Sequence, residues 1–252
     1  MSMDQRVFFS TNFQNILAEQ LNKLSCDRAM LITTHRQLTA SHTQINDLKK
    51  YICAVFPNAV THTPVSVTRS ALAIAKDKRI DCVISIGGGS TTGLGKAISF
   101  NTGYPHIAIP TTYSGSESTP ILGETSNGTK TTFTNPAVLP EIVIYDPNLV
   151  VSLPKHQTIT SGLNALAHAI EALYGKNVNI KTTRLALDGI TYFYNSLQKV
   201  ANNPSDLAAR ELTLRGAWCC GAVLGHVGMA LHHKLCHTLG GAYNLPHADT
   251  HA

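Results

Sequence analysis

The distribution of apolar positions divides the chain into two parts. Up to about residue 150, short apolar runs without polar alternation are separated by segments in which apolar residues recur at helical spacing. Such runs are typical of parallel strands covered on both faces, so this part predicts an α/β fold with a Rossmann-like parallel sheet. Beyond Asp146 and Pro147 the strand patterns disappear and only helical spacing remains, which predicts an all-α part.

The elements follow from these patterns. The predicted strands are Arg28–Thr34, Ala59–Val65, Cys82–Ile86, His106–Ile109 and Glu141–Tyr145. The predicted helices of the first part are Asn12–Leu24, Gln44–Phe56, Val67–Lys76 and one that begins with Thr92–Ile98. Those of the second part are Thr158–Leu173, Thr182–Tyr194, Leu207–Leu224 and Met229–Leu239. The loop around Pro154 predicts a boundary between an α/β domain, residues 1–153, and a helical domain, residues 154–252.

Composition and charge narrow the possible classes of function. With 252 residues, 43% hydrophobic and 14% charged, the chain can bury a large core, which argues against disorder. No apolar run reaches the roughly 18–20 residues that cross a bilayer, and the N-terminus does not resemble a secretory signal. The net charge of +5 is scattered, which argues against nucleic-acid binding. Six cysteines without a C-x-x-C pair suggest no zinc or disulfide framework and a reduced, cytoplasmic setting.

A glycine-rich turn follows the strand at Cys82–Ile86. Gly87, Gly88, Gly89 and Ser90 stand where this strand meets a helix, and glycines allow a phosphate to approach the helix N-terminus. The segment matches neither the Walker A loop nor the G-x-G-x-x-G fingerprint. It predicts phosphate or dinucleotide binding, and a tight turn without a ligand is the alternative.

A second polar turn follows the next strand. Thr111, Thr112 and Ser116 come after His106–Ile109 and offer hydroxyls to a phosphate or ribose, although such residues also cap helices. At Thr34, the end of the first predicted strand, many dinucleotide-binding folds carry an acid that contacts the adenine ribose. Because no acid stands there, both NADH and NADPH remain open as cofactors.

Histidines concentrate at the end of the chain. Asn164 with His168, and His233 with His237, share helix faces at i, i+4, and His247 follows in a loop. Convergent imidazoles suggest a divalent metal site. The anionic ligand that such a site normally includes is missing, because Asn164 stands at its expected position. This favours a metal-free pocket in which protonated imidazoles bind substrate carboxylates.

The order of these motifs resembles the iron-containing (group III) alcohol dehydrogenases, and within them the maleylacetate reductases. The segments that carry the resemblance are Gly87–Ile98, Thr111–Thr125, Ser161–Tyr174 and Gly228–His251. The resemblance covers nearly the whole chain and implies the dehydroquinate synthase-like architecture of an α/β domain and a helical domain. It also implies a homodimer.

The resemblance further implies roles for individual residues. Gly88, Gly89 and Ser90 would hold the pyrophosphate, while Thr111, Thr112, Lys130 and Leu149 would contact the rest of the dinucleotide. Metal-dependent members place their ligands at the positions of Asn164, His168, His233 and His247, with His237 beside the nicotinamide. Two departures are Asn164 in place of an aspartate and Gly93 in place of an aspartate that contacts the cofactor.

The implied reaction is the reduction of 2-maleylacetate to 3-oxoadipate by NADH or NADPH in the degradation of aromatic compounds. His237 would donate a proton or stabilise an enolate, and His168, His233 and His247 would shape a pocket for the dicarboxylate substrate. The substrate would be a small molecule, with neither nucleic acid nor membrane as a partner.

Four alternatives stay open. They are a metal-dependent alcohol dehydrogenase, a reductase of another unsaturated oxo-acid in secondary metabolism, an inactive, truncated homologue that binds nucleotide or a partner without turnover, and a lyase of the dehydroquinate synthase type. Asn164 argues against the lyase, which needs a complete metal site. Members of the family are longer than this chain, so the resemblance also leads us to expect a C-terminally truncated helical domain.

Overall fold

A computed structural model describes residues 5–40, 48–228, 230–243, 245 and 247–252. The chain divides into two compact units. The first comprises Met1–Thr111 and Pro120–Leu149, and the second comprises Thr112–Thr119 and Val150–Ala252. All strands of the described residues lie in the first unit, and helices dominate the second. The predicted fold class, an α/β part followed by a helical part, is therefore confirmed.

The first unit is built on a six-stranded sheet in which every neighbouring pair is parallel. Its strands are β1 (Arg6–Phe9), β2 (Ala29–Ile32), β3 (Ile52–Phe56), β4 (Cys82–Gly87), β5 (His106–Pro110) and β8 (Ile142–Tyr145). Their order is β1-β8-β5-β4-β2-β3. Every residue of β2, β4, β5 and β8 is buried, as expected for strands covered on both faces.

Four helices of this unit are described: α1 (Phe13–Leu24), α2 (His35–Ala40), α3 (Val65–Asp77) and α4 (Gly89–Thr102). The side chain of Asn12 accepts a hydrogen bond from the Asn15 amide and caps the start of α1. Leu17 and Leu21 point from α1 into the main core cluster together with Ile84 of β4. Ala71 of α3 and Leu94 of α4 belong with Val83 of β4 to a second cluster, so the sheet carries one apolar core on each face.

The strands β6 (Ile121–Ser126) and β7 (Thr129–Thr134) form an antiparallel hairpin that is separate from this sheet. Asn127 and Gly128 form its two-residue turn, and both have positive φ, 50° and 76°, as a type I′ turn requires. The Thr125 amide donates to the carbonyl of Thr63 at 3.2 Å, and Lys96 of α4 donates to the carbonyl of Ile121 at 3.0 Å. These bonds join the hairpin to the rest of its unit.

The second unit contains α5 (Lys155–Ala172), α6 (Ile180–Asn202), α7 (Leu207–Val227), α8 (Leu231–Tyr243) and α9 (His247–His251). Asn179 and Thr182 form a capping box at the start of α6, and Asp206 caps α7 by accepting from the Ala209 amide. These side chains satisfy amides that helix starts otherwise leave without partners.

The loop 112–119 belongs to this helical unit. Gly115 lies against Gly221 of α7 so closely that a Cβ on Gly221 would overlap the carbonyl oxygen of Gly115. Beside this contact, the buried guanidinium of Arg210 donates to the Tyr113 hydroxyl at 2.9 Å and to Thr158 at 3.3 Å. Burial raises the pKa of Tyr113 to about 12, although Arg210 acts in the opposite direction, so this hydroxyl keeps its proton.

Two predicted elements are wrong. The segment Gln44–Phe56 does not form one helix, because Ile52–Phe56 is a strand that pairs with β2; residues 44–47 lie outside the described part. Ala59–Val65 is not a strand, although isolated bridges pair Asn58 with Thr34 and Pro64 with Thr125 at its two ends. Spacing alone could not separate the two states, because a five-residue apolar run fits either and tertiary pairing decides.

Among the described residues, no single helix is long and apolar enough to cross a membrane. One pair of the described helices, Leu207–Val227 with Leu231–Gly240, is joined by a sharp bend and reaches the required length and composition when its two members are counted together.

Candidate active site

The glycine-rich turn of the first unit offers backbone amides to a ligand. Gly87 ends β4 with a φ of 153°, and a Cβ there would lie 2.5 Å from the Thr91 hydroxyl. Gly88 is the N-cap of α4 and supplies no side chain to the amides of the first turn. Gly89 is exposed and Ser90 is half-buried, so this helix start is accessible. Phosphate-binding sites of many proteins use accessible helix starts of this kind.

Thr111 lies next to this turn. Its amide donates to the carbonyl of Gly87 at 2.9 Å, and its hydroxyl donates to the side chain of Gln37 at 3.3 Å. The neighbouring strands β4 and β5 thus end side by side, as the sequence predicts for a nucleotide crevice at the carboxyl edge of the sheet.

Lys130 and Leu149 complete the predicted set in this unit. Lys130 is an exposed residue of β7. The pKa of His62 is lowered mainly by the partial burial of that histidine and further by the positive charge of Lys130. Leu149 belongs to the main core cluster and is buried. Thr112 and Ser116 lie on the loop of the second unit, where Ser116 begins a 3₁₀ turn, Ser116–Ser118.

Gly93, one of the two departures from the family pattern, has a local packing role. A Cβ at this position would lie 2.6 Å from the hydroxyl oxygen of Thr63. Thr63 therefore occupies the space into which a side chain at position 93 would extend.

A cluster of buried histidines lies in the second unit. His168 of α5 and His233 of α8 have ring centroids 4.6 Å apart, and the ring of His251 from α9 lies 4.5 Å from that of His233. All three side chains are at most 5% exposed. The structure therefore brings together His168 and His233, which come from different predicted helices, and adds His251, for which no role was predicted.

Glu171 binds His233, the histidine whose ring contacts both of the others. Its carboxylate forms a hydrogen-bonded pair with Nδ1 of His233 and accepts from the backbone amides of His233 and Ala230, at 3.2 and 3.3 Å. Tyr174 adds a longer contact at 3.5 Å. The motif around His168 contains this acid three residues further along α5, so its position on the same helix face was the available signal.

These contacts determine the charge of the pair. Burial lowers the pKa of His233, and the hydrogen bond to Glu171 only partly opposes this. For Glu171, burial raises the pKa, but the bonds from His233 outweigh it and the pKa lies below its usual value. At neutral pH we therefore assign an ionised Glu171 that accepts from Nδ1–H of a neutral His233, which leaves Nε2 as an acceptor.

Asn164 lies on α5 one turn before His168. Its side chain is 3% exposed, and Oδ1 has no hydrogen-bond partner among the described residues. A buried amide oxygen in this state can accept a hydrogen bond from a water or from a bound molecule. The remaining candidates, His237 and His247, lie on α8 and α9, and their side chains are outside the described residues.

Two family models match the chain almost end to end. Residues 4–147 match the model of the iron-containing alcohol dehydrogenases, and residues 158–252 match the C-terminal model of the Fe-containing alcohol dehydrogenase family. The glycine-rich turn lies within the first match and the histidine cluster within the second.

Individual relatives agree with these models. The chain is 50% identical to the maleylacetate reductase of Rhizobium sp. (strain MTP-10005) and 47% identical to that of Burkholderia cepacia, in each case over 98% of this chain and 70% of the relative. The crystal structure of maleylacetate reductase from Agrobacterium tumefaciens superposes with a TM-score of 0.96 at 49% identity, covering 100% of this chain and 72% of that one. The chain thus spans about 70% of the length of these relatives.

Proposed function

Because the chain belongs to the iron-containing alcohol dehydrogenase family, we propose that it reduces 2-maleylacetate to 3-oxoadipate with NADH or NADPH, in the degradation of aromatic compounds. The names of its relatives support this substrate. The observation that carries the proposal is the buried histidine cluster, with Asn164 one turn earlier on α5, because imidazole donors suit a small dicarboxylate.

The dinucleotide would be held mainly by backbone groups. Gly88, Gly89 and Ser90 fit a pyrophosphate, because the start of α4 is accessible and has no capping side chain. We propose that Thr111, Thr112, Ser116 and Lys130 contact the remainder, with Leu149 supporting the edge of this site from the core. When bound, the reduced nicotinamide supplies a hydride.

The residues present do not fit the metal site of the family. Asn164, His168, His233 and His247 include no anionic donor, and the carboxylate of Glu171 is engaged by His233 and by two backbone amides. We therefore assign no step to a metal and propose that protein donors stabilise the developing charge.

We propose that each histidine has a separate role in the reaction. Hydride adds to the carbon–carbon double bond conjugated to the ketone, and the electron pair moves onto the ketone oxygen as an enolate. His237 stabilises this enolate and donates the proton that completes the reduction. His168 and His247 bind the carboxylates, while His233, held neutral by its environment, shapes the pocket through its ring.

The test is an assay of NADH oxidation with maleylacetate, with and without a chelator. We expect turnover that the chelator leaves unchanged. His237→Ala should reduce turnover far more than it weakens NADH binding. Failure of the well-folded protein to oxidise NADH would overturn the substrate assignment, and equal turnover in the variant would overturn the role of His237.

A metal-dependent alcohol dehydrogenase is the second candidate, and one observation favours it. A histidine that binds a metal usually donates its other ring N–H to a carboxylate, which is the arrangement of His233 and Glu171. A stoichiometric divalent ion whose removal abolishes oxidation of a small alcohol would establish this candidate.

We also propose that the enzyme works in the cytoplasm as a homodimer, on the basis of the family resemblance, with no nucleic acid or membrane as a partner. Sedimentation equilibrium tests the dimer, and a monomer at assay concentration would contradict it.

A further inference from the structure

A second group of possible ligands lies beside the histidine cluster. His232 and Cys236 share one face of α8 at i, i+4, and His251 comes from α9. One ligand atom from each residue, two imidazole nitrogens and one sulfur, lies within 4.8 Å of both others. Cys236 Sγ and His232 Nε2 are 3.7 Å apart.

These distances fit a tetrahedral metal. Zinc binds sulfur at about 2.3 Å and nitrogen at about 2.0–2.1 Å, so tetrahedral angles place two such ligands roughly 3.5 Å apart. The measured sulfur–nitrogen separation is close to this value. The third ligand atom lies within 4.8 Å of both others, so all three are close enough to be ligands of one ion after side-chain rotation.

The surroundings hold the two helices together at this point. His232 Nε2 is 3.1 Å from the carbonyl oxygen of His251, and the thiol of Cys236 donates to the carbonyl of Thr250 at 3.2 Å. Cys236 and His251 are 8% and 2% exposed, and His232 is half-buried. These contacts between α8 and α9 bring the three side chains close together in the folded chain.

We propose that His232, Cys236 and His251 form a three-ligand site for zinc, separate from the set of Asn164, His168, His233 and His247. A thiolate with two imidazoles suits zinc, and three protein ligands leave a fourth position for water. On binding, the thiol releases its proton to solvent, and the sulfur exchanges its bond to Thr250 for a bond to the metal. The ring N–H of His232 moves from Nε2 to Nδ1, and Nε2 exchanges its bond to the His251 carbonyl for a bond to the metal. The metal then ties α9 to α8.

The proposal can be tested with cobalt as a spectroscopic substitute for zinc, titrated into the metal-free full chain. We expect one cobalt per chain and a thiolate-to-cobalt charge-transfer band, which zinc abolishes by competition. Cys236→Ser should remove the band. Loss of a residue that only hydrogen-bonds to a metal ligand typically weakens metal binding about 10- to 100-fold, so His232→Gln, which removes a ligand itself, should weaken zinc binding at least as much. Circular dichroism verifies that each variant is folded.

Matched variants separate this site from the others. Cys53→Ser removes a thiol of the first unit and His226→Gln an exposed histidine, and both should bind as the wild type does. His168→Gln, in the neighbouring set, should also keep the band. A band that survives Cys236→Ser or disappears with His168→Gln, or the absence of a band in the wild type, would overturn the proposal. Since no substrate is present, the result does not depend on the proposed reductase activity.

Discussion

At the scale of single residues, Glu171 is the side chain on which the candidate site depends most. It is 2% exposed, and three hydrogen bonds from the start of α8 end on its carboxylate. The carboxylate selects the tautomer of His233 and keeps its ring in one orientation. A change at position 171 therefore acts on the histidine cluster through His233.

We predict that Glu171→Gln lowers turnover of maleylacetate by about 10- to 100-fold, the range typical of partners that orient a functional histidine. The amide preserves size but carries no charge, so it holds Nδ1–H of His233 less firmly. Steady-state kinetics measure the effect. Glu211→Gln is the matched control, because Glu211 pairs with Arg215 on a partly exposed surface. Equal losses in both variants would show that the pair with His233 has no special role.

His106 gives a prediction about stability. It is 1% exposed, its Nε2 lies 2.7 Å from the Ser85 hydroxyl, and burial together with the charge of Lys96 lowers its pKa to about 3. The unfolded chain binds a proton near the ordinary pKa of about 6.5. Between these values the unfolded state holds the extra proton, so stability is lost as the pH falls.

This group alone should lower the free energy of unfolding by about 1.4 kcal/mol per pH unit between those pKa values. Urea denaturation at several pH values from 6 to 4.5 measures the slope, and the slope of His106→Asn should be smaller by that amount. His226→Gln, which removes an exposed histidine, should retain the wild-type slope. A slope unchanged by His106→Asn would contradict the assignment.

The sequence predicted part of this site and missed the rest for a physical reason. The i, i+4 spacing selected His168 and His233 because periodicity places residues on helix faces. It could not show that the faces of α5 and α8 meet, nor that His251 and Glu171 complete the cluster, since these contacts arise only from tertiary packing. The roles of His237 and His247 stay predictions.

At the scale of elements, the sequence predicted the buried strands well and the exposed ones poorly. Cys82–Gly87 and His106–Pro110 were recognised because continuous apolar runs stand between helices. The strands Ile121–Ser126 and Thr129–Thr134 were missed because they are short of apolar residues. Asn127 and Gly128 were the available signal, since Asn-Gly strongly favours a two-residue hairpin turn.

The close contact between the loop 112–119 and α7 leaves no room for a side chain at position 221. Gly221→Ala should gain about 1 kcal/mol of helix propensity, but its Cβ overlaps the carbonyl oxygen of Gly115, a backbone atom that cannot easily move. We therefore expect a net loss of about 1–3 kcal/mol in the free energy of unfolding. Denaturant titration measures it.

Gly240→Ala is the matched control for this prediction. Gly240 also lies within a helix, but the nearest atom to its added Cβ would be the Leu245 carbonyl oxygen at 3.9 Å. We expect it to be neutral or to stabilise by up to about 1 kcal/mol. Similar behaviour of the two variants would mean that the approach of Gly115 does not limit position 221.

At the scale of the whole molecule, the helical unit leaves one apolar stripe uncovered. Leu231, Leu235, Leu239 and Tyr243 recur every four residues along α8 and are 65%, 53%, 47% and 71% exposed. Isolated apolar residues on a surface are ordinary, but a contiguous stripe favours association of the chains. Association buries apolar area, and each Å² removed from water contributes about 25 cal/mol of favourable free energy. We expect copies of this chain to associate through the stripe as concentration rises.

The triple change Leu231→Gln, Leu235→Gln and Leu239→Gln should therefore reduce association and leave the free energy of unfolding nearly unchanged, because the exposed side chains contribute little to the core. Light scattering over a concentration series measures association, and denaturant titration measures stability. Ile180→Gln with Tyr194→Gln removes exposed apolar side chains from α6, both 86% exposed, and should alter association less because these residues lie outside the stripe. Scattering that falls equally with both sets would assign association to general surface hydrophobicity, whereas a loss of stability in the triple variant would show that the stripe is packed within a single chain.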